Sequence, residues 1–463
     1  MDEPIMNITK KLITKNSTLK RLNNLALPIL LTYLMGFIFT IGDQAIVGRT
    51  SLEGYTGVTT VSNILYYLTG TLGIIGLTLN IHGSRLLGEK KYEDYSKLFN
   101  TAFSISIALG ILFFGVSNIF GRVFLIDFFD MTPSVADVSM QYLRIASLGL
   151  GLNMLIFVFS SYFKSSELPK VLVYSSMISN VVNLTVDYSL VFGKFGFPEM
   201  GVAGAAIGTI AGLAVSLVIY ICYFIHTGKF KLRLYYNGPV LKQIGKSYVP
   251  LVCQDFLEST VFVLVITAII SSLGVVQLGA YGLMNIIVNM LLLPVYAYGN
   301  ATMTIVSKSK GSGEYAIIRD VLKIACSILA FITFCSFAVL SWDSGLVFSL
   351  ITPEKELHLA ASGIILVVCI AQLFNVPHMI LKYTLNGLSF EGWIFKFTSV
   401  VTVLVLSLLW IMNTYRTLSL KSIFILIAVN YLILSVGYYI KLGNVLRSVS
   451  SEINNIEIEE QSA

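Results

Sequence analysis

The sequence predicts an all-α polytopic membrane protein, with twelve transmembrane helices in two six-helix lobes related by internal duplication. Three observations lead there. The first is composition: 56% of the 463 residues are hydrophobic, 12% are charged and the mean hydropathy is +0.80, well outside the range of a soluble domain. The second is segmentation. Apolar runs of about twenty residues or more, each long enough to cross a hydrocarbon core of about 30 Å as a helix, alternate with short polar loops at 24–47, 57–80, 99–120, 137–162, 171–193, 201–225, 249–272, 277–306, 320–342, 358–383, 394–414 and 422–441. The third is repetition, because the chain after residue 248 follows the plan of the chain before residue 229.

These boundaries define five parts: a basic cytoplasmic segment at 1–23, an N-lobe of helices 1–6 at 24–228, a cytoplasmic linker at 229–248, a C-lobe of helices 7–12 at 249–441 and an acidic, disordered tail at 442–463. A net charge of +6 would fit a nucleic-acid binder, and the placement of the charges excludes that class. With the N-terminus inside, 24 of the 31 Lys and Arg fall on the inner side, clustered at Lys10–Arg21, Arg85–Lys97, Lys229–Lys246 and Lys308–Lys323. That is the positive-inside pattern. Both termini are therefore expected in the cytoplasm, and the chain in the plasma membrane as a monomer in contact with lipid. The first apolar run is too long for a signal peptide and lacks a small-residue cleavage pattern, so it reads as a retained helix. The five cysteines, Cys222, Cys253, Cys326, Cys335 and Cys369, lie in apolar runs without CxxC or nearby His and read as core thiols.

Taken in order, helix 1 contains Pro28, which removes one backbone bond and bends the helix. Near its outer end sits Asp43, either a second intramembrane acid or a solvated residue of the outer interface. Helix 2 places Gly70, Gly73 and Gly76 on a smooth packing surface. Helices 3 and 4 contribute little chemistry. Helix 5 carries the most informative stretch, since Asn180, Asn183 and Asp187 are spaced three and then four residues apart and share one face. A carboxylate at membrane depth is costly unless it faces a protein interior or a wet cavity, and so marks a functional site. Helix 6 follows with Gly204, Gly208 and Gly212 in two overlapping GxxxG patterns and Thr209 beside them. At about 1.5 Å per residue, Asp187, Asp43 and Thr209 lie about 9, 6 and 12 Å below the outer ends of their helices, which puts all three in the outer half.

The second half repeats the first at an offset of about 223 residues: Pro28 pairs with Pro250, Gly57 with Gly282, Gly88 with Gly311 and Tyr92 with Tyr315. Six helices per half is an even number, so both halves insert with the same topology. Intramembrane charge is sparser here. Helix 7 has Asp255 and Glu258 in its first turns, Glu258 being the deeper. Helix 10 has Gln372, Asn375 and His378 on one face, suited more to bonding helices together than to binding a ligand. Tyr281, Tyr296, Tyr298 and Tyr383 offer an aromatic wall.

Two parallel six-helix halves with a few buried acids describe a secondary transporter that works by alternating access. No Walker A motif is present, so an ion gradient is the expected energy source. A proton exchanged on Asp43 and Asp187 would remove the cost of burying their charge. A sodium ion held by carboxylate, amide and hydroxyl oxygens is the alternative, hard cations preferring oxygen ligands. No other cofactor or metal is implied.

The run NVVNLTVDYSLVFGKFGFPEMGVAGAAIGT, residues 180–209, resembles the helix 5 to helix 6 signature of the multidrug and toxin extrusion (MATE) family of the MOP flippase superfamily. Pro28, Asp43, the Gly88 loop and Pro250 extend the resemblance over essentially the whole chain. It implies a two-lobe fold and an N-lobe cation site of Asp43, Asn183, Asp187 and Thr209. It also implies export of cationic or amphipathic small molecules in exchange for H+ or Na+, without enzymatic chemistry. Asn180, Glu258, Asn375 and Tyr281 are candidates for a substrate or second-lobe site. One branch of the family has an acid in helix 10 where Asn375 stands here, whereas Glu258 matches that branch's helix 7 acid. A lipid-linked oligosaccharide flippase of the same superfamily is the alternative, and it would need a large basic cavity. Arg144 and Lys382, the nearest intramembrane cations, lie by position near helix ends. An integral membrane enzyme or receptor fits less well, because the four His are scattered.

Overall fold

The computed structural model describes residues 3–49, 52–415 and 417–462, with side chains at 16–49, 54–415 and 417–448. All regular structure among these residues is helical. The chain divides into two compact units, Leu27–Val252 in one and Met1–Ala26 with Cys253–Ala463 in the other. The divisions fall inside the first and seventh membrane helices, beside the paired prolines Pro28 and Pro250.

The first unit takes most of α1 (Glu3–Val47), then α2 (Leu52–Leu72), α3 (Ile74–Gly88), α4 (Tyr92–Asp127), α5 (Pro133–Ala146), α6 (Leu148–Ser165), α7 (Lys170–Val191), α8 (Val202–Thr227) and the first turns of α9 (Gly238–Asp255). α2 continues into α3, and α5 into α6, so that each pair makes one membrane crossing. Gly73 and Gly76 pack against Phe157 of α6, while Gly70 meets nothing. Among the described residues eleven helical runs are long and apolar enough to span a membrane. The twelfth crossing, α7, is not among them, although its 22 residues reach about 33 Å. Its Asn180, Asn183 and Asp187 face interrupts the apolar run.

Two apolar clusters fill this unit. Tyr95, Phe99, Phe159, Tyr162, Phe163 and Phe224 form an aromatic one, with Phe99 and Phe224 stacked at 4.9 Å. A second, around Val47, Val58, Leu143, Val191 and Ala205, lies next to Asp187. Lipid tails are as apolar as these side chains, so close packing rather than escape from water holds such helices together. The linker is pinned along α4: buried Asn100 donates to the Lys231 carbonyl (3.1 Å) and accepts from the Arg233 amide (2.9 Å).

The second unit contains a π-helical turn, Phe256–Val261, followed by α10 (Phe262–Ser271), α11 (Val275–Ser312), α12 (Ala316–Trp342), α13 (Ser344–Ser349), α14 (Lys355–Ser362), α15 (Ile365–Gly387), α16 (Glu391–Thr414) and α17 (Leu420–Ser462). Leu22, Leu25 and Ala26 of α1 are buried in its core with Ile266, Leu283, Ile324 and Phe424. The opening segment is thus part of a packed helix as well as a basic stretch. At the other end, where disorder is expected from composition, α17 runs on to Ser462.

The internal duplication reaches the backbone. In the first unit Lys90 (φ 60°) and Glu167 (φ 58°) are left-handed, and in the second so are Gly313 (φ 79°) and Ser389 (φ 66°), each at the offset of the sequence repeat. The same turn closes the corresponding loops of the two units. Lys91 N donates to Leu86 O and Glu314 N to Ser309 O, each at 2.9 Å. Leu168 N to Phe163 O (2.7 Å) and Phe390 N to Leu385 O (3.1 Å) are the second such pair. Beside the first turn, the Lys91 ammonium and then the Arg85 guanidinium hold the Glu89 carboxyl below its ordinary range.

Candidate functional site

The turn after α7 decides where α8 lies. Gly193, Gly196 and Gly201 take positive φ, and Lys194 N to Ser189 O (2.8 Å) with Met200 N to Leu190 O (2.7 Å) folds the chain straight back. α8 then runs along α7 with its three small residues inward. Gly204 sits on Leu190, Gly208 on Asp187 and Gly212 on Asn183 and Ser179, whose hydroxyl donates to Gly212 O at 2.7 Å. A methyl group at Gly208 would collide with Asp187 Oδ1, and it would lie 2.8 Å from the Asp187 backbone nitrogen.

This packing removes Asp187 from the surface completely, at 0% exposure. Asn183 Nδ2 donates to its Oδ2 at 2.9 Å, the i, i+4 bond implied by their spacing on one helix face. The Asp43 carboxyl lies against that of Asp187, so it faces inward and not the outer solvent. One oxygen on each acid, Asp43 Oδ1 and Asp187 Oδ1, is buried and receives no hydrogen bond. Two carboxyl groups in contact at membrane depth need a positive partner between them. A proton shared by the two oxygens would serve, and so would a hard cation, because every group nearby offers oxygen.

Thr209 donates to Ala205 O of its own helix (3.1 Å), and its oxygen faces the hydroxyl of Tyr142. Buried Tyr142 in turn accepts from Ser62 Oγ at 3.1 Å. The fourth membrane crossing therefore supplies the site with a residue, contrary to the reading that helices 3 and 4 hold little chemistry. Asn180 stays apart, donating to Ser176 Oγ at 3.2 Å. The structure thus brings Asp43, Asn183 and Asp187 into one cluster, reaches Thr209 through Tyr142 and leaves Asn180 outside it.

The second-lobe candidates form their own group. Glu258, on the π-helical turn, accepts from Lys382 Nζ at 2.6 Å and from Gln254 Nε2 at 3.0 Å. Lys382 stands in the last turns of α15, as its position in sequence implies, and is paired there with Glu258. Asn375 donates to Gln372 Oε1 (2.9 Å) and accepts from His378 Nδ1 (3.1 Å), using its amide within α15. Tyr281 packs on Phe424 at the edge of the core. Among the described residues no group of three or more His, Cys, Asp or Glu could hold a metal, and the five cysteines are free.

A chain of membrane-spanning helices in two duplicated halves, burying a carboxyl pair in one of them, is built like a secondary transporter. The chain belongs to the MatE family, whose model matches it twice, over residues 28–189 and 250–415. The two matches begin at the paired prolines. Among curated relatives it is 22% identical over 409 residues to the probable multidrug resistance protein YoeA of Bacillus subtilis, covering 84% of this chain and 85% of that one. It is 23% identical over 422 residues to the probable multidrug resistance protein NorM of Bacillus cereus, covering 87% and 88%. Of solved structures, the Vibrio cholerae MATE transporter VcmN in its bent form aligns with a TM-score of 0.85 at 18% identity, over 94% of this chain and 99% of that one. A MOP superfamily transporter from Pyrococcus furiosus aligns with a TM-score of 0.83 at 14% identity, over 94% and 97%. These likenesses show the fold, twelve helices in two lobes.

Proposed function

We propose that the chain is a secondary active transporter of the cell membrane that exports cationic or amphipathic drugs and toxins by alternating access, in exchange for protons or sodium. The observation that carries the reading is the contact between the Asp43 and Asp187 carboxyls, each with a buried oxygen that accepts no hydrogen bond. A site of this kind is balanced when it holds a proton or cation and unbalanced when it is empty, so ion release favours a rearrangement of the surrounding helices. Asp187 is the coupling residue, Asp43 its partner, Asn183 the amide that fixes one carboxylate oxygen, and Tyr142 and Thr209 the hydroxyls that extend the oxygen shell. The names of the relatives support multidrug export as the task, and the inner-side excess of Lys and Arg supports cytoplasmic termini.

The test is efflux of a fluorescent cation from proteoliposomes under an imposed proton gradient and, separately, a sodium gradient. Asp187→Asn is expected to abolish gradient-driven efflux under whichever ion drives the native chain, with the variant still inserted in the membrane. Undiminished efflux in that variant would overturn the mechanism.

A further inference from the structure

The linker between α8 and α9 holds Lys229, Lys231, Arg233, Lys242 and Lys246 and no acid, and the coupling reading gives it no part. A run of like charges is commonly a mobile, solvated segment. Here the backbone is fixed. Asn100 of α4, itself buried, bonds to the Lys231 carbonyl and the Arg233 amide, and Ser104 Oγ one turn further on accepts from the Tyr235 amide at 2.9 Å. Phe230 and Leu232 pack into the aromatic cluster of this unit, Phe230 with its ring 4.9 Å from that of Tyr95. Lys229, Lys231 and Arg233 are exposed. Successive side chains of an extended segment point to opposite faces, so these three cations form one row at intervals of about 7 Å. They line a cavity of about 310 Å³ together with Tyr92, Glu93, Ser96 and Phe230.

The charges around this cavity do not cancel. Glu93 is bonded to Lys97 at 2.8 Å, and Lys97 also holds Asp94 at 3.5 Å. Lys91, on the preceding turn, is paired with Glu89 at 2.8 Å. The Arg233 guanidinium lies within the field of Glu93 and over the Tyr235 ring, 5.1 Å from its centroid. Among the described residues neither the Lys229 nor the Lys231 ammonium has an ion pair or a hydrogen bond. With Lys97 and Asp94 included, four cations face two acids, and the excess calls for an anion.

The surroundings say which anion. The strand joins two runs long and apolar enough to cross a membrane, Val202–Thr227 and Gly238–Ser271, which holds it at the membrane surface. Directly after the row come Leu234, 72% exposed, and Tyr236, 76% exposed, side chains that suit the boundary between headgroups and acyl chains. Free phosphate would use the cations and leave these two without a partner. A phospholipid uses both, since basic pockets at this level hold anionic headgroups. We propose that the strand Lys229–Arg233 is a site for an anionic phospholipid, whose phosphodiester lies in the cavity on Lys229, Lys231 and Arg233 and whose apolar part lies against Leu234 and Tyr236. Binding of this kind needs neither gradient nor exported substrate, so it stands or falls apart from the export reading.

Phosphatidylglycerol and phosphatidylcholine with the same acyl chains, and inorganic phosphate, serve as probes. The purified full chain in detergent is titrated with each, and bound lipid is followed by native mass spectrometry. Phosphatidylglycerol is expected to bind at least about tenfold more tightly than phosphatidylcholine, and the double variant Lys229→Gln with Lys231→Gln to lose at least about tenfold in phosphatidylglycerol affinity. Lys242→Gln with Lys246→Gln removes the same charge from the α9 end of the linker and should leave binding unchanged, which separates a built site from diffuse attraction. Lys229→Arg with Lys231→Arg keeps the charge and should keep the lipid, which separates loss of the site from loss of the fold. Inorganic phosphate at the same concentration should not displace the lipid. Phosphatidylcholine bound as tightly as phosphatidylglycerol, undiminished binding without Lys229 and Lys231, an equal loss in the Lys242 and Lys246 variant, or full displacement by phosphate would each overturn the proposal.

Discussion

Tyr142 links residues that the chain order keeps far apart. It accepts from Ser62, faces Thr209 and lies within the field of both site carboxyls. Tyr142→Phe keeps the ring in its apolar cluster and deletes the one hydroxyl, leaving Ser62 and Thr209 short of a buried partner at a cost of about 1–3 kcal/mol. The variant is expected to insert normally and to need up to about tenfold more coupling ion for half-maximal efflux, 1.4 kcal/mol corresponding to a factor of ten. Proteoliposome efflux across an ion titration checks this. Asn183 and Asp187 were legible because their spacing on one helix is itself the geometry of the bond between them. Tyr142 was not, being one of 24 tyrosines and brought to the site only by the packing of α5 against α2 and α8. The pair of Glu258 and Lys382 was hidden for the same reason: 124 residues separate its members, and position along a helix says nothing about which neighbour a side chain will meet.

At the scale of the helices, the contact of α7 with α8 carries the site. Gly208 is the tightest point, and an added methyl there must push the helices apart or displace the Asp187 carboxyl. Overpacking of this kind costs about 1–3 kcal/mol. Gly208→Ala is accordingly expected to lower the thermal midpoint of the purified protein and to abolish coupled efflux. Gly70→Ala, where an added methyl meets nothing, should leave both unchanged; thermal aggregation profiles and efflux assays on the two variants decide it. The three glycines were visible in sequence as a four-residue repeat, and they do pack as that repeat implies. The π-helical turn carrying Glu258 left no such trace, because nothing in Phe256–Val261 distinguishes it from ordinary α-helix and its widening depends on what packs around it. Glycine also fails as a guide in the loops that the two halves share, where Gly313 occupies the left-handed position of one half and Lys90 the equivalent position of the other. A search for turn glycines finds one of that pair.

For the whole molecule, the orientation proposed from the charge asymmetry puts the loop at Lys90 inside and the loop at Ser134 outside. In a version of the chain lacking its five native cysteines, Ser134→Cys is expected to react with a membrane-impermeant maleimide in intact cells, and Lys90→Cys only after permeabilisation. The opposite pattern would reverse the orientation and the direction of transport inferred from it. Twelve crossings and two halves were readable because apolar length and a repeat need no tertiary information. The division of α1 between the two units was not, since Leu19, Leu22, Leu25 and Ala26 look in sequence like the interfacial end of a membrane helix and reveal their packing partners only in the fold. That division sets an order for the birth of the protein. Leu22, Leu25 and Ala26 share an apolar cluster with Ile266 and Phe424, which leave the ribosome far later. The start of α1 therefore lacks its packing partners until the second unit is made, Tyr298 of α11, which donates to Asn23 Oδ1 at 2.9 Å, among them.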